Sequence, residues 1–215
     1  MTTQFLFDGP EDAAMTLLLA HGAGAPMDSA SMNAAALALG GAGVRVVRFE
    51  FGYMAERRTG DGRKPPPKAE KLMPEYLAAL KTLGAVSAPL FIGGRSLGGR
   101  VASIVADPLR AAGQVAGLLC LGYPFHPPKN PEQLRTAHLA ALQTPTLIVQ
   151  GTRDPFGTRE EVSGYALSPS IELLWLEDGD HDLKPRKSVS GFSAKDHLAT
   201  MATETVRWMQ RVAAR

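Results

Sequence analysis

Cysteine is nearly absent: Cys120 is the only one in 215 residues. No disulfide can close within the chain, which suits a reducing compartment. An excess of one charge is missing too, since 23 Lys and Arg stand against 21 Asp and Glu, a formal net charge of +2. So small a surplus makes no polybasic face, and nucleic acid is not an expected partner. Long apolar runs are also lacking, and no stretch approaches the roughly 20 apolar residues a membrane-spanning helix needs. The N-terminal MTTQFLFDGPEDAAMTLLLAHG has no basic start and carries Asp8, Glu11 and Asp12 ahead of its short apolar run. It reads as no secretion signal, so a cytoplasmic protein without a membrane partner is expected. No cluster of residues has metal-ligand spacing and no G-x-G-x-x-G follows a strand. Neither metal nor cofactor is expected.

With 45% hydrophobic and 20% charged residues, the chain has the composition of a soluble globular protein. Its length predicts one domain over residues 1–215, large enough to bury a core without staples. Apolar runs alternate with helix-like stretches. Strands are predicted over Met15–Ala20, Val44–Phe49, Pro89–Gly93, Val115–Leu121, Pro145–Gln150 and Ile171–Leu176, with a short edge strand at Phe5–Phe7. Four of these runs are almost wholly apolar, as in parallel strands covered on both faces. Helices are predicted over Ser29–Leu39, Glu75–Leu83 and Leu97–Ala106, and along the C-terminus from Leu198 to Val212. The alternation predicts an α/β three-layer sandwich with a mostly parallel sheet. The basic, proline-rich Arg57–Lys68 reads as a surface loop. Tyr123–Thr144 reads as irregular with room for a short helix.

Two chemistries use a strand, a glycine turn and a helix like that of FIGGRSLGGR, residues Phe91 to Arg100. A phosphate loop requires Lys and then Ser or Thr after its last glycine. Arg100 and Val101 stand there instead, and valine cannot ligate magnesium. A nucleophile elbow requires G-x-S-x-G between a strand and a helix. Gly94-Arg95-Ser96-Leu97-Gly98 meets this in full, with PLFIG before it and LGGRVASIVA after it. The residues two before and two after the serine pass close to one another and must be small. The helix N-terminus also aims the Leu97 amide at a developing negative charge.

A serine needs a base, and the base needs an orienting acid. Downstream, Asp154 lies in the turn after TPTLIVQ, and His181 lies in the turn after IELLWL. Both fall where open α/β sheets build their sites, at strand C-terminal ends. Asp178, Asp180 and Asp182 crowd His181 as rival partners. Asp154 is preferred because it follows a strand of its own. A second oxyanion donor is sought in the turn after the first long strand, MTLLLAHGAGAPMDS. Ala23 is the first candidate and Gly24 the next, with His21 shaping the loop. Arg95, Tyr123 and His126 are candidate substrate contacts. Arg95, with Arg57, Arg58, Lys129, Arg135 and His126 on rim loops, suits an anionic group, solvated surface charge suits them at least as well, and Arg95 also reads as a brace for the turn. Cys120, inside LLCLG, reads as a buried small hydrophobe.

Taken together, HGAGAPMDS, FIGGRSLGGR, GYPFHPP, GTRDPFG and DGDHDLKPRK resemble the small α/β-hydrolases related to dienelactone hydrolase. The branch resembled most includes testis-expressed and chromatin-complex regulatory-subunit-like proteins of eukaryotes. The resemblance runs from about Ala20 to Lys187. It implies an α/β-hydrolase fold with little cap, in which Ser96, Asp154 and His181 are nucleophile, acid and base. Dienelactone hydrolase itself uses a cysteine where this chain has Ser96. The expected function is a serine hydrolase that cleaves an ester, thioester or related acyl bond of a small molecule. A non-catalytic interaction protein on the same fold is the alternative, and a homodimer is left open.

Overall fold

The computed structural model of the chain describes residues 3–60 and 65–214. Among these residues seven strands form one sheet: β1 Phe5–Asp8, β2 Thr16–Ala20, β3 Arg45–Phe49, β4 Leu90–Arg95, β5 Gly117–Leu121, β6 Thr146–Gly151 and β7 Ile171–Leu176. Their order is β1-β3-β2-β4-β5-β6-β7. Only β1 runs antiparallel, pairing Phe5 with Phe49; β2 to β7 are parallel throughout. This is the mostly parallel α/β sheet that the alternation of runs predicts.

The apolar runs bury both faces. Leu17 and Leu19 point into one core and Leu18 into the other. The first core is closed by α1 (Ala30–Gly41) and α7 (Ala194–Ala213), which contributes Met201, Trp208 and Met209. The second is closed by α3 (Ala69–Leu83) and α4 (Leu97–Ala111) through Leu72, Tyr76, Val101 and Val105. α7 starts with a capping box, in which Ser193 and Asp196 exchange side-chain and backbone bonds. Among the described residues no helix is long and apolar enough to cross a membrane.

Several helix limits differ from expectation. α4 does not stop at Ala106 but runs through Pro108 to Ala111, because its last turn buries Leu109. α3 starts at Ala69 rather than Glu75. Pro74 deprives one carbonyl of its helical partner, but Pro74 is exposed, so water can satisfy that group. The predicted loop at Arg57–Lys68 begins inside a helix, α2 (Gly52–Thr59), and its residues 61–64 lie outside the described residues. α2 is held by tertiary bonds: Glu75 accepts the Gly52 amide at 2.6 Å and Met54 is buried. Two short helices, α5 (Arg159–Ser163) and α6 (Lys187–Ser190), also have no counterpart in the sequence reading.

Tyr123–Thr144 is irregular as expected, with one 3-10 turn at Leu139–Ala141. It is fastened to α4 at two points. The Ser103 hydroxyl meets His138 Nε2 at 2.8 Å, and the Asp107 carboxylate accepts the Thr144 amide and hydroxyl at 2.8 and 2.6 Å. Both ties hold the segment against α4.

Candidate active site

β2 leads to β3 on one side of it, while β4 lies on the other, so the chain reverses its direction of winding between β2 and β4. The loops after these two strands meet there, where open α/β sheets place their ligands. A Cβ added to Gly22 would lie 3.7 Å from the Ser96 Cβ. The loop after β2 thus lies against the residue that follows β4.

Ser96 has φ 48° and ψ −114°. A non-glycine residue in the left-handed region is strained by about 1–3 kcal/mol and persists only where its surroundings fix it. Here the fixing is steric. A Cβ on Gly94 would come within 2.3 Å of the Gly98 carbonyl carbon, and one on Gly98 within 2.6 Å of the Ala20 and His21 oxygens. Strand, turn and helix are therefore packed backbone to backbone, and the Ser96 side chain is lifted out of the sheet.

The three predicted triad residues come together. Ser96 Oγ lies 2.8 Å from His181 Nε2, and His181 Nδ1 lies 2.8 Å from Asp154 Oδ2. Asp154 is fully buried, and its other oxygen accepts the Phe156 amide at 2.9 Å. A carboxylate so placed accepts the Nδ1 hydrogen of the imidazole, leaving the Nε2 lone pair for the serine hydroxyl. The Phe156 ring covers the His181 ring at a centroid distance of 4.1 Å.

The three rival acids are engaged elsewhere. Asp178 accepts the Arg186 amide and guanidinium at 2.6 and 3.0 Å, and that guanidinium pulls its carboxyl down to about 2. Asp180 accepts the amides of Asp182 and Lys184 at 2.8 and 2.9 Å. Asp182 pairs with Arg95.

The loop after β2 is tied to β3 and α2. The Phe51 amide donates to His21 Nε2 at 3.1 Å, so the imidazole is neutral, with Nδ1 donating to the Gly22 carbonyl at 2.7 Å. Burial, the largest influence, holds His21 below the ordinary imidazole value. Arg57 donates to the Ala23 carbonyl at 3.2 Å, and the Tyr53 hydroxyl lies 3.3 Å from both the Gly22 and Ala23 carbonyls. Holding these carbonyls fixes the plane of the neighbouring amides. Leu97 is the first residue of α4, so its N–H has no acceptor within the helix.

The three predicted substrate contacts lie in different settings. Arg95 is mostly buried, with a side-chain exposure of 13%, and donates to the His181 carbonyl at 3.1 Å as well as to Asp182. Tyr123 belongs to the core, its hydroxyl donating to the Arg135 carbonyl at 3.0 Å. His126 is buried beside Glu161, with Nε2 3.4 Å from that carboxylate. Of the expected basic rim, Arg58 is bound by Glu50 and Asp28. Cys120 is buried in β5, and burial pushes its thiol above the ordinary range.

Sequence reasoning passes over one residue of this region, Gln150. It is fully buried at the end of β6, and its amide nitrogen lies 2.9 Å from Asp154 Oδ2. The one signal available was a lone polar side chain closing the apolar run TLIVQ.

The sheet order and the strand-end placement of Ser96, Asp154 and His181 fit an α/β-hydrolase. Residues 13–210 match the α/β-hydrolase domain family, and the chain belongs to it. Solved structures with the same fold are distant in sequence. A lidless α/β serine hydrolase from Xanthomonas campestris is 19% identical with a TM-score of 0.70, covering 99% of this chain and 90% of its own. A dienelactone hydrolase from Anabaena variabilis is 20% identical with a TM-score of 0.71, covering 97% of this chain and 91% of its own. Est1E from Butyrivibrio proteoclasticus, solved with ferulic acid, is 15% identical with a TM-score of 0.70, covering 99% and 96%.

Proposed function

We propose that the protein is a serine hydrolase that cleaves an ester, thioester or related acyl bond of a small molecule. The observation that carries this reading is the unbroken line of hydrogen bonds from Ser96 Oγ through His181 to Asp154, each 2.8 Å long. Ser96 attacks the carbonyl carbon while His181 Nε2 takes its proton. Asp154 keeps the imidazole in the right tautomer and stabilises the imidazolium. The negative charge on the carbonyl oxygen is received by the Leu97 amide and, across the gap, by the Ala23 amide; one such donor contributes about 3 kcal/mol to the transition state. His181 then protonates the leaving group. It next draws a proton from water, and the hydroxide equivalent releases the acid from Ser96.

Arg95 serves this chemistry as a brace for the His181 loop, since its guanidinium is occupied by the His181 carbonyl and Asp182. Within the family, the five sequence motifs support a place among dienelactone-hydrolase-related proteins and the testis-expressed branch. A fluorophosphonate probe tests the reading. The native protein should be labelled at Ser96, and Ser96→Ala should lose both label and esterase activity. A folded, unlabelled wild type would reject the hydrolase and leave the non-catalytic interaction protein standing.

A further inference from the structure

We propose that Gln150 is a positioning residue, which fixes the Asp154 carboxylate so that one chosen oxygen meets His181. The inference rests on the hydrolase reading of the triad. Gln150 is fully buried, and its amide is used at both ends. Oε1 accepts the Tyr123 amide at 2.8 Å. Nε2 faces three acceptors: Asp154 Oδ2 at 2.9 Å, and the Tyr123 and Gly157 carbonyls, each at 3.2 Å. The opposite amide orientation would set a carbonyl against three acceptors and one N–H against another, so this orientation is the only one that pairs.

The side chain thereby joins three pieces of chain. Tyr123 lies just past the end of β5, Gln150 lies in β6, and Asp154 and Gly157 belong to the turn after β6. Asp154 Oδ2 receives two donors, Gln150 and His181, while Oδ1 receives the Phe156 amide. With Phe156 alone, the carboxylate could turn about its Cβ–Cγ bond. The Gln150 donor removes that freedom. It also takes a share of the negative charge that would otherwise fall to His181 and the Phe156 amide. Low local polarity makes such a bond stronger than it would be in water.

Gln150→Met keeps the length of the side chain and removes both polar ends. Loss of one hydrogen bond to a charged group should lower kcat about tenfold. KM should stay within about twofold, because no substrate contact is removed. The charge released by the lost donor should raise the pKa of His181, read by NMR titration of the imidazole in the full chain, and move the acid limb of kcat/KM to higher pH. In an Asp154→Asn background, Gln150→Met should change kcat less than about twofold, since it acts through that carboxylate. Gln150→Glu covers the case in which the methionine variant fails to fold. The protonated acid can replace the amide donor, so activity should fall with rising pH where the wild type is level.

A variant with a lowered Tm but an unchanged kcat and His181 titration would overturn the proposal. So would a full tenfold loss that persists without Asp154, or a glutamate variant with the wild-type pH profile. The NMR titration needs no substrate. If the wild type takes no phosphonate, the hydrolase reading fails, while the titration still reports whether Gln150 acts on the Asp154–His181 pair.

Discussion

A methyl group added at Gly94 probes the steric basis of the elbow. The Cβ of Gly94→Ala would lie 2.3 Å from the Gly98 carbonyl carbon, 2.5 Å from the Gly99 nitrogen and 2.7 Å from the Gly98 oxygen. All three are backbone atoms in the first turn of α4, so no rotamer change relieves the contact. Ordinary contact begins near 3.4 Å, and the helix end must therefore retreat by about 1 Å. Overpacking costs about 1–3 kcal/mol, and a rigid neighbour places this case at the upper end. For a chain of this size 3 kcal/mol corresponds to a fall in Tm of about 6–12 °C. The retreat also moves Ser96 and the Leu97 amide, and a misplacement of about 1 Å costs about a hundredfold in rate. Gly41, the last residue of α1, is the control: an added Cβ there meets nothing within 4 Å. Gly41→Ala should leave activity unchanged and raise stability by about 0.5 kcal/mol. Thermal unfolding and the rate of phosphonate labelling report both quantities. A Gly94→Ala protein with the wild-type Tm and labelling rate would refute the close-packing account.

Two further outcomes follow from the site. Arg95→Ala should lower kcat about tenfold on acyl esters with and without a carboxylate alike, because it removes support from the His181 loop; a rise in KM confined to the carboxylate esters would instead make Arg95 a substrate contact. Stability should fall as pH drops, in two windows measurable by urea unfolding. His21 and His138 are held by burial below the ordinary 6.5, so the unfolded chain binds protons first and stability is lost as pH falls below that value. Asp178 is pulled from 3.8 to about 2 by Arg186, so its contribution is present above 3.8 and lost as pH falls toward 2. A flat profile between pH 7 and pH 5 would contradict the neutral, buried state of His21.

The sheet and the meeting of Ser96, Asp154 and His181 were legible for a common reason. Leu17 to Leu19, Phe91 with Ile92, and Leu147 to Val149 are apolar because they are covered on both faces, so each strand shows as a run. Ser96, Asp154 and His181 then stand at the ends of those runs, and chain order is enough to find them. The helix limits were less legible, since the expected helices fall short of Pro74 and Pro108 while α3 and α4 run through them. Pro74 lies on the exposed side of α3, and α4 gains more by burying Leu109 than Pro108 costs it. α2 has little apolar pattern of its own, and contacts such as Glu75 to the Gly52 amide decide it.

The groups that do chemistry and the groups that hold them leave different traces in a sequence. A nucleophile, base or acid must reach one point in space, and a parallel sheet delivers it there from a strand end, which is a local feature. A holding group is defined by its partner. Arg95 finds the His181 loop 86 positions on, and Gln150 finds Tyr123 27 positions back. Neither separation has a pattern, and neither residue type is unusual alone. What can be read is the cost of leaving such a group unpaired. A buried amide or guanidinium without partners loses about 1–3 kcal/mol or more. A polar side chain inside or at the end of a covered strand therefore signals a bond to something, and the nearest charged group in need of fixing is the first place to look. In this fold that rule leads from Gln150 to Asp154, and from Arg95 to the loop that carries His181.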